Sequence, residues 1–297
     1  MVFNHTDKSQ KNKPYKALGL LLNWLINAIL FFVILKTNLI FIKIICSVLL
    51  GINFTVTSFY AHELLHGYIF NRHKIQIILS LPCMYYTLLS PSFWKFWHRL
   101  HHKFGTKDEH ISGFQTINWV KNKNIKYFFT KIKPLDDSIF NFLYLFFWKS
   151  LAMAVNQIFY IFDNKFSKRI NKKSVIIEIL ILVLGHIALW NFFTYSEIVL
   201  VEIVPWLVQN LVASSFVVTN HNPKLISLGL AYQNSTTALL NNRFLDSYFL
   251  NSGYHIEHHL YPDKNPDEYP LINKNFINEK KYQNQSIFKC LQIIFSK

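Results

Sequence analysis

The chain has 297 residues, of which 51% are hydrophobic and only 16% charged, with 31 Lys and Arg against 16 Asp and Glu. A soluble domain is typically about a quarter charged, so this composition excludes a disordered chain and points to a membrane protein; a mean hydropathy of +0.18 leaves substantial polar parts outside the bilayer. The net charge of +15 does not indicate nucleic acid, because the basic residues lie between apolar runs, as in cytoplasmic loops at an anionic leaflet.

Residues 1–17 form a basic N-terminal tail, with Lys8, Lys11, Lys13 and Lys16 just ahead of the first apolar run. A signal peptide also begins this way. This run is too long for one, lacks a small-residue cleavage site and is soon followed by another, so a retained span is expected. The first span is expected over 18–35, broken only by Gly19, Asn23 and Asn27, and the second over 39–60, after the turn Lys36-Thr37-Asn38. At about 1.5 Å per helical residue, such runs cross roughly 30 Å of hydrocarbon and make a hairpin. Lys43, the one charge in the second run, is near enough to its end to snorkel.

The second span leads into Ala61-His62-Glu63-Leu64-Leu65-His66-Gly67, which places a first pair of histidines at the membrane surface. The run over 75–86 is short and carries Pro82, so it reads as a re-entrant or interfacial segment. It leads to a second cluster, His98-Arg99-Leu100-His101-His102, behind interface-seeking Trp94 and Trp97. Residues 103–138 are polar and lysine-rich, and 139–162 read as an amphipathic helix lying on the bilayer. A second hairpin is expected from spans at 175–193 and 198–219, with Pro205 kinking the last. The long loops hold nearly all the Lys and Arg, so the positive-inside rule puts those loops, and every histidine cluster, on the cytosolic side. A third cluster, His255-Ile256-Glu257-His258-His259, lies in the polar region that follows, and 271–297 read as a polar C-terminal tail ending in a short amphipathic piece, Ile287–Phe295. The three cysteines, Cys46, Cys83 and Cys290, are far apart with no Cys-x-x-Cys, which argues against a disulfide framework or a thiolate metal site.

The pattern His-x-x-His-His occurs twice, at His98, His101 and His102 and at His255, His258 and His259, with His-x-x-x-His at His62 and His66. With 13 His in the chain, one His-x-x-His-His is expected by chance roughly 0.02 times. Positions i, i+3 and i+4 share one helix face, so each cluster can aim its imidazoles at one point, and imidazole is a good ligand for iron, copper, zinc and nickel. A set of surface histidines is the competing reading. Glu63 and Glu257, inside the clusters, either orient ligands or face solvent. His186, inside the third span, reads as a neutral side chain bonded to a neighbouring helix; His5, His73 and His110 lack ligand spacing.

The segment His62-Glu63-Leu64-Leu65-His66 also matches the zinc-protease helix His-Glu-x-x-His, and Asn265-Pro266-Asp267 looks like part of the second motif of membrane proteases. That reading leaves six clustered histidines without a role. The order of the three clusters, their relation to the spans and the Leu260-Tyr261-Pro262 after the third resemble the membrane fatty-acid desaturase and hydroxylase superfamily, over roughly residues 18–270. The resemblance implies an all-α integral membrane protein with about four transmembrane helices in two hairpins and a cytosolic histidine-rich cap. It also implies two Fe ions held by His62, His66, His98, His101, His102, His255, His258 and His259. A further histidine after the last span often completes the site in that family, and His221 holds that place here.

Breaking an unactivated C–H bond needs a redox metal that can activate O₂, which zinc cannot do. The implied activity is O₂-dependent desaturation of a lipid acyl chain or acyl thioester. Acyl, sphingolipid, sterol or carotenoid hydroxylation uses the same ligands, and metal binding without catalysis is the third possibility. Front-end desaturases usually begin the third box with Gln, whereas this chain has His255. No fused cytochrome b5 domain or His-Pro-Gly-Gly is visible, so electrons are expected from a separate ferredoxin or cytochrome b5 type donor. The boxes do not encode the chain length, the carbon attacked, the acyl carrier or the oligomeric state. The Asn234-Ser235-Thr236-Thr237 run with Arg243 is a candidate headgroup contact without a motif behind it.

Overall fold

Among the described residues, four helices are long and apolar enough to cross a bilayer. The computed structural model describes residues 14–104, 154, 157–158, 161–162, 170–220, 222–230, 235–279 and 283–296. In chain order these form α1 (Pro14–Lys36), α2 (Ile40–His66), α3 (His73–Cys83), α4 (Pro91–Phe104), α5 (Lys172–Phe192), α6 (Tyr195–Ile198), α7 (Val204–Asn220), α8 (Pro223–Ser227), β1 (Ala238–Leu239), α9 (Arg243–Tyr248), α10 (His255–Leu260), α11 (Tyr269–Asn278), β2 (Gln285–Ser286) and α12 (Ile287–Phe295). The spans are α1, α2, α5 and the run from α6 into α7. The helix expected over 139–162 falls almost wholly outside the described residues, as do His5, His110 and His221.

The described residues fall into two compact units, one within Met1–Ser92 and Lys173–Gln209, the other within Phe93–Lys172 and Asn210–Lys297. In the first unit α1 packs along α2. Many apolar side chains of both helices point outward, Phe32 and Phe41 among them, a surface suited to lipid rather than water. Lipid tails are as apolar as Leu, so burial alone does not hold two spans together, and hydrogen bonds carry more of the adhesion. The two asparagines that interrupt the first run supply them. Asn23 Nδ2 donates to Asn53 Oδ1 (2.9 Å), Asn53 Nδ2 to Asn27 Oδ1 (2.8 Å), Asn27 Nδ2 to Thr57 Oγ1 (3.0 Å) and Thr57 Oγ1 back to Asn23 Oδ1 (2.6 Å), closing a ring across the hairpin. All four residues are buried.

Pro205 shapes the fourth span by a specific route. It has no N–H to give to the carbonyl four residues back, that of Val201, and its ring crowds that carbonyl. The helix widens into a π turn over Val199–Ile203, and the Val201 carbonyl accepts instead from Tyr86 Oη at 2.6 Å. At Gly51 the fourth span comes so close to α2 that a Cβ there would lie 2.6 Å from the Pro205 oxygen. His186 of α5 offers Nε2 to the Tyr85 carbonyl at 3.1 Å and meets the Glu202 carboxyl through Nδ1. It is thus partnered by the neighbouring span, as its position in the sequence suggests.

Helix α3 has 11 residues and is too short to cross; it ends in a 3₁₀ turn over Tyr85–Thr87. The start of α4 is fixed by Glu178 of α5, whose carboxylate accepts from Ser90 Oγ (2.5 Å), Ser92 N (2.9 Å) and Ser92 Oγ (2.6 Å). A carboxylate there satisfies an orphan amide and suits the positive end of the helix dipole.

In the second unit, β1 and β2 pair in parallel, Ala238 opposite Gln285 and Leu239 opposite Ser286, and α12 packs on this pair and on α8. Of the C-terminal stretch, the described residues 271–279 and 283–296 belong to this unit, and the amphipathic piece expected at Ile287–Phe295 is α12, with Ile287, Cys290 and Ile294 buried on one face. Lys16, read as part of a basic tail, is likewise helical and buried.

Two measurements test this account. Asn53→Leu removes two side-chain bonds of the ring and leaves Asn27 Oδ1 and Asn23 Nδ2 without them, so it should lower stability by about 1–3 kcal/mol, read as a lower unfolding temperature in detergent. Burial raises the Cys290 thiol to about 11. A raised thiol stays protonated until pH approaches that value, so at pH 8 about one part in a thousand is thiolate. Cys290 should therefore resist iodoacetamide at pH 8 in the folded protein and react once it is denatured.

Candidate metal centre

Within the second unit, α4 carries His98, His101 and His102, and α10 carries His255, His258 and His259. The spacing i, i+3, i+4 puts each trio on one face, and the nitrogens of the two helices converge. His102 Nε2 lies 2.9 Å from His98 Nε2, His259 Nε2 lies 3.0 Å from His255 Nε2, and His258 Nε2 lies 3.4 Å from His98 Nε2. Two nitrogens each about 2.1 Å from one ion and at right angles around it stand about 3 Å apart, so these spacings are those of neighbours in a coordination shell. One group is His98, His102 and His258; the other is His101, His255 and His259, whose ligand atoms all lie within 4.8 Å of one another. His102 also faces His259, with ring centroids 4.7 Å apart, so the groups adjoin. The bland reading of scattered surface histidines fails on this geometry and on the burial of His98, His101 and His258.

A neutral imidazole offers a lone pair at one nitrogen only, and the partner of the other nitrogen decides which. Tyr269 Oη donates to the Lys264 carbonyl at 3.1 Å, which leaves its oxygen to accept from His258 Nδ1 at 3.1 Å. His258 therefore carries its proton on Nδ1 and turns a bare Nε2 toward His98. Aromatic planes set other rings: Trp94 stacks on His98 at 4.2 Å and Trp97 on His101 at 5.5 Å, each one turn earlier on α4.

Glu257 is fully buried. Its carboxylate accepts from Thr237 Oγ1 (2.8 Å) and Asn273 Nδ2 (2.6 Å), and Asn273 exchanges amide bonds with Asn284 at 2.7 and 2.8 Å. The Gln285 amide in turn bonds the Thr237 carbonyl at 3.2 Å. Box 3 thus rests on a polar floor made of the strand pair and α11. Gly253 lets the chain approach closely enough for Ala238 N to reach its carbonyl at 3.0 Å, since a Cβ there would strike the Ala238 oxygen. Thr237 is spent on Glu257, which gives the Ser235–Thr237 stretch a supporting role under box 3. Asn265 caps a 3₁₀ turn, accepting from Asp267 N at 3.0 Å, while its own N–H is taken by Glu268. Asn265-Pro266-Asp267 is therefore a capped turn, not half of a protease site.

In the first unit, His62 and His66 lie one turn apart at the end of α2, with ring centroids 4.5 Å apart. Gly67 stops the helix at φ +86°, a conformation other residues rarely adopt, and Tyr68 then folds back to stack on His66 at 5.2 Å. His62 Nδ1 meets Glu63 Oε1 at 3.3 Å, and Glu63 Oε2 is paired with Lys16 Nζ at 3.1 Å. A protease's glutamate must reach a water; Glu63 is buried and committed to Lys16 and His62. Neither box carboxylate faces solvent. His73 is exposed, in keeping with its lack of ligand spacing. Motif spacing did not point to Lys16, Thr237, Tyr269 or Asn273, because each lies far along the chain from the histidine or glutamate it supports.

Tyr269→Phe keeps the ring but removes the oxygen behind His258 Nδ1. Metal retention against a graded chelator should fall about 10- to 100-fold, with little change in helix content, as read by metal analysis and circular dichroism.

Residues 38–288 match the profile of the Fatty acid desaturase family, and no curated protein matches the chain. The match covers all three histidine boxes and most of the described residues of both units. With its four membrane-capable helices and converging imidazoles, the chain belongs to the fatty acid desaturase family.

Proposed function

We propose that this protein is an O₂-dependent di-iron desaturase that introduces a double bond into a lipid acyl chain. The observation that carries this reading is the convergence of the Nε2 atoms of boxes 2 and 3 at 2.9–3.4 Å, with Tyr269 Oη 3.1 Å behind His258 Nδ1. An all-imidazole donor set suits iron in more than one oxidation state. His98, His101, His102, His255, His258 and His259 are assigned as ligands on this geometry. His62 and His66 are assigned from box 1 and its carboxylate-backed His62, and His221 from its place after the last span. When bound, iron supplies the activation of O₂ that an unactivated C–H bond requires.

The reaction balances as follows: an acyl –CH₂–CH₂– unit, O₂, two electrons and two protons give –CH=CH– and two waters. A separate ferredoxin or cytochrome b5 type protein is the proposed electron source, and the cytosol the proposed side of the site, because the long basic loops favour it. The protein's own part is to hold lone pairs in place, with His98, His101 and His258 buried. His258, on the Tyr269 bond, and His98 and His101, against Trp94 and Trp97, need not reorganise to accept metal, which is how a fixed site gains over a flexible one.

The test is a mass-spectrometric lipid profile of cells expressing the protein beside the His101→Ala variant. A new species two mass units lighter, absent in the variant, is expected, and fragmentation locates its double bond. A species sixteen units heavier would make the protein a hydroxylase of the same family. A wild-type chain carrying one zinc and no iron, with no new lipid, would overturn the reading.

A further inference from the structure

The first turn of α1 lies outside the family match, which begins at residue 38, yet it places a cation against box 1. Lys16 is 4% exposed and Glu63 2% exposed. Taking two such groups out of water is costly, and breaking a buried pair by removing one partner is strongly destabilising, so the arrangement needs a reason. Adhesion of α1 to α2 is a weak one, because the ring of Asn23, Asn27, Asn53 and Thr57 already supplies it along the same interface. The division of the Glu63 carboxylate is more informative. Its Oε2 takes Lys16 Nζ at 3.1 Å and its Oε1 faces His62 Nδ1 at 3.3 Å.

We propose that Lys16 is a positioning residue of the metal centre: acting through Glu63, it keeps the His62 proton on Nδ1 and leaves Nε2 bare for metal. Glu63 follows His62 directly in the chain, so its side chain needs an anchor to turn an oxygen back onto that ring. The ammonium supplies it from another helix. This is the carboxylate–histidine arrangement that orients ligands in metalloproteins, extended by one buried cation. The inference rests on the iron-centre reading above and extends it to a residue that the family profile does not reach.

The experiment compares wild type with Lys16→Met, Lys16→Arg, Glu63→Gln and Asn27→Leu in detergent. Iron per chain is measured against increasing Fe(II) chelator, and unfolding temperature in parallel. Lys16→Met and Glu63→Gln should weaken retention of one of the two irons by about 10- to 100-fold and leave the other near wild type. Lys16→Arg, which keeps the charge, should restore retention to within about threefold of wild type. Asn27→Leu weakens the same helix pair away from His62, and should lower the unfolding temperature without moving iron retention. Wild-type retention in Glu63→Gln, or equal iron loss in Asn27→Leu and Lys16→Met, would reduce Lys16 to a hairpin clamp and overturn the proposal. Should Lys16→Met fail to fold, the Glu63→Gln and Lys16→Arg results decide alone. A wild-type protein that takes up no iron would instead defeat the iron-centre reading, and this inference with it.

Discussion

A histidine binds metal through one nitrogen while the other holds its proton, so a ligand needs an acceptor behind it as much as an ion in front. On the iron-centre reading proposed above, much of the polar architecture would serve that requirement. His258 has the Tyr269 oxygen, made an acceptor because its hydrogen is engaged by the Lys264 carbonyl. His62 has Glu63. Stacked indoles add to this, as Trp94 does for His98. Tyr269 comes from another element, α11, whereas Glu63 and Trp94 share a helix with the ring they set, and each of these elements has to be held in turn. That is why the strand pair, α11 and α12 are built into the same unit as box 3.

The membrane helices obey a related rule. Polar groups in hydrocarbon must find partners within the protein, and once found those partners fix the packing. The asparagine–threonine ring locks α1 against α2 over the turns that precede box 1, so the end of α2 is carried on a defined hairpin. Pro205 would leave the Val201 carbonyl orphaned in the fourth span. The π turn and Tyr86 resolve that within the first unit. Glu178 lies in a span and looks costly there, but it caps the helix that goes on to present box 2.

The elements legible in the sequence are those with a repeat or a length behind them. Hydropathy marked four spans, and the i, i+3, i+4 arithmetic marked which histidines share a face. Where a helix stops was less legible: the second span, read over 39–60, leads into box 1, and one helix, α2, carries both until the left-handed Gly67 ends it. The supports carried no periodic signal. Asn273 and Tyr269 lie 16 and 11 residues from the groups they hold, and Lys16 lies 47 residues from Glu63. Composition assigned Lys16 and Asn273 to polar tails because lysine and asparagine usually face water. Both are buried here because a carboxylate inside a histidine box needs a donor.

The two box carboxylates bear on charge as well as on orientation. Neutral imidazoles bring no negative charge, so a divalent ion among them would sit in a poorly solvated place with its charge uncompensated. Glu63 and Glu257 are both buried next to a box histidine in sequence, and both are held in place by donors from elsewhere in the fold. Glu257 is held by the hydroxyl of Thr237 and the amide of Asn273, donors that do not neutralise it. Glu63 is held by an ammonium, which offsets much of its charge. By this contrast Glu257 adds more to the field that favours a cation, and Glu63 adds more to the aim of a single ring. One residue type inside two similar motifs thus does different work according to the donor that the rest of the chain brings to it.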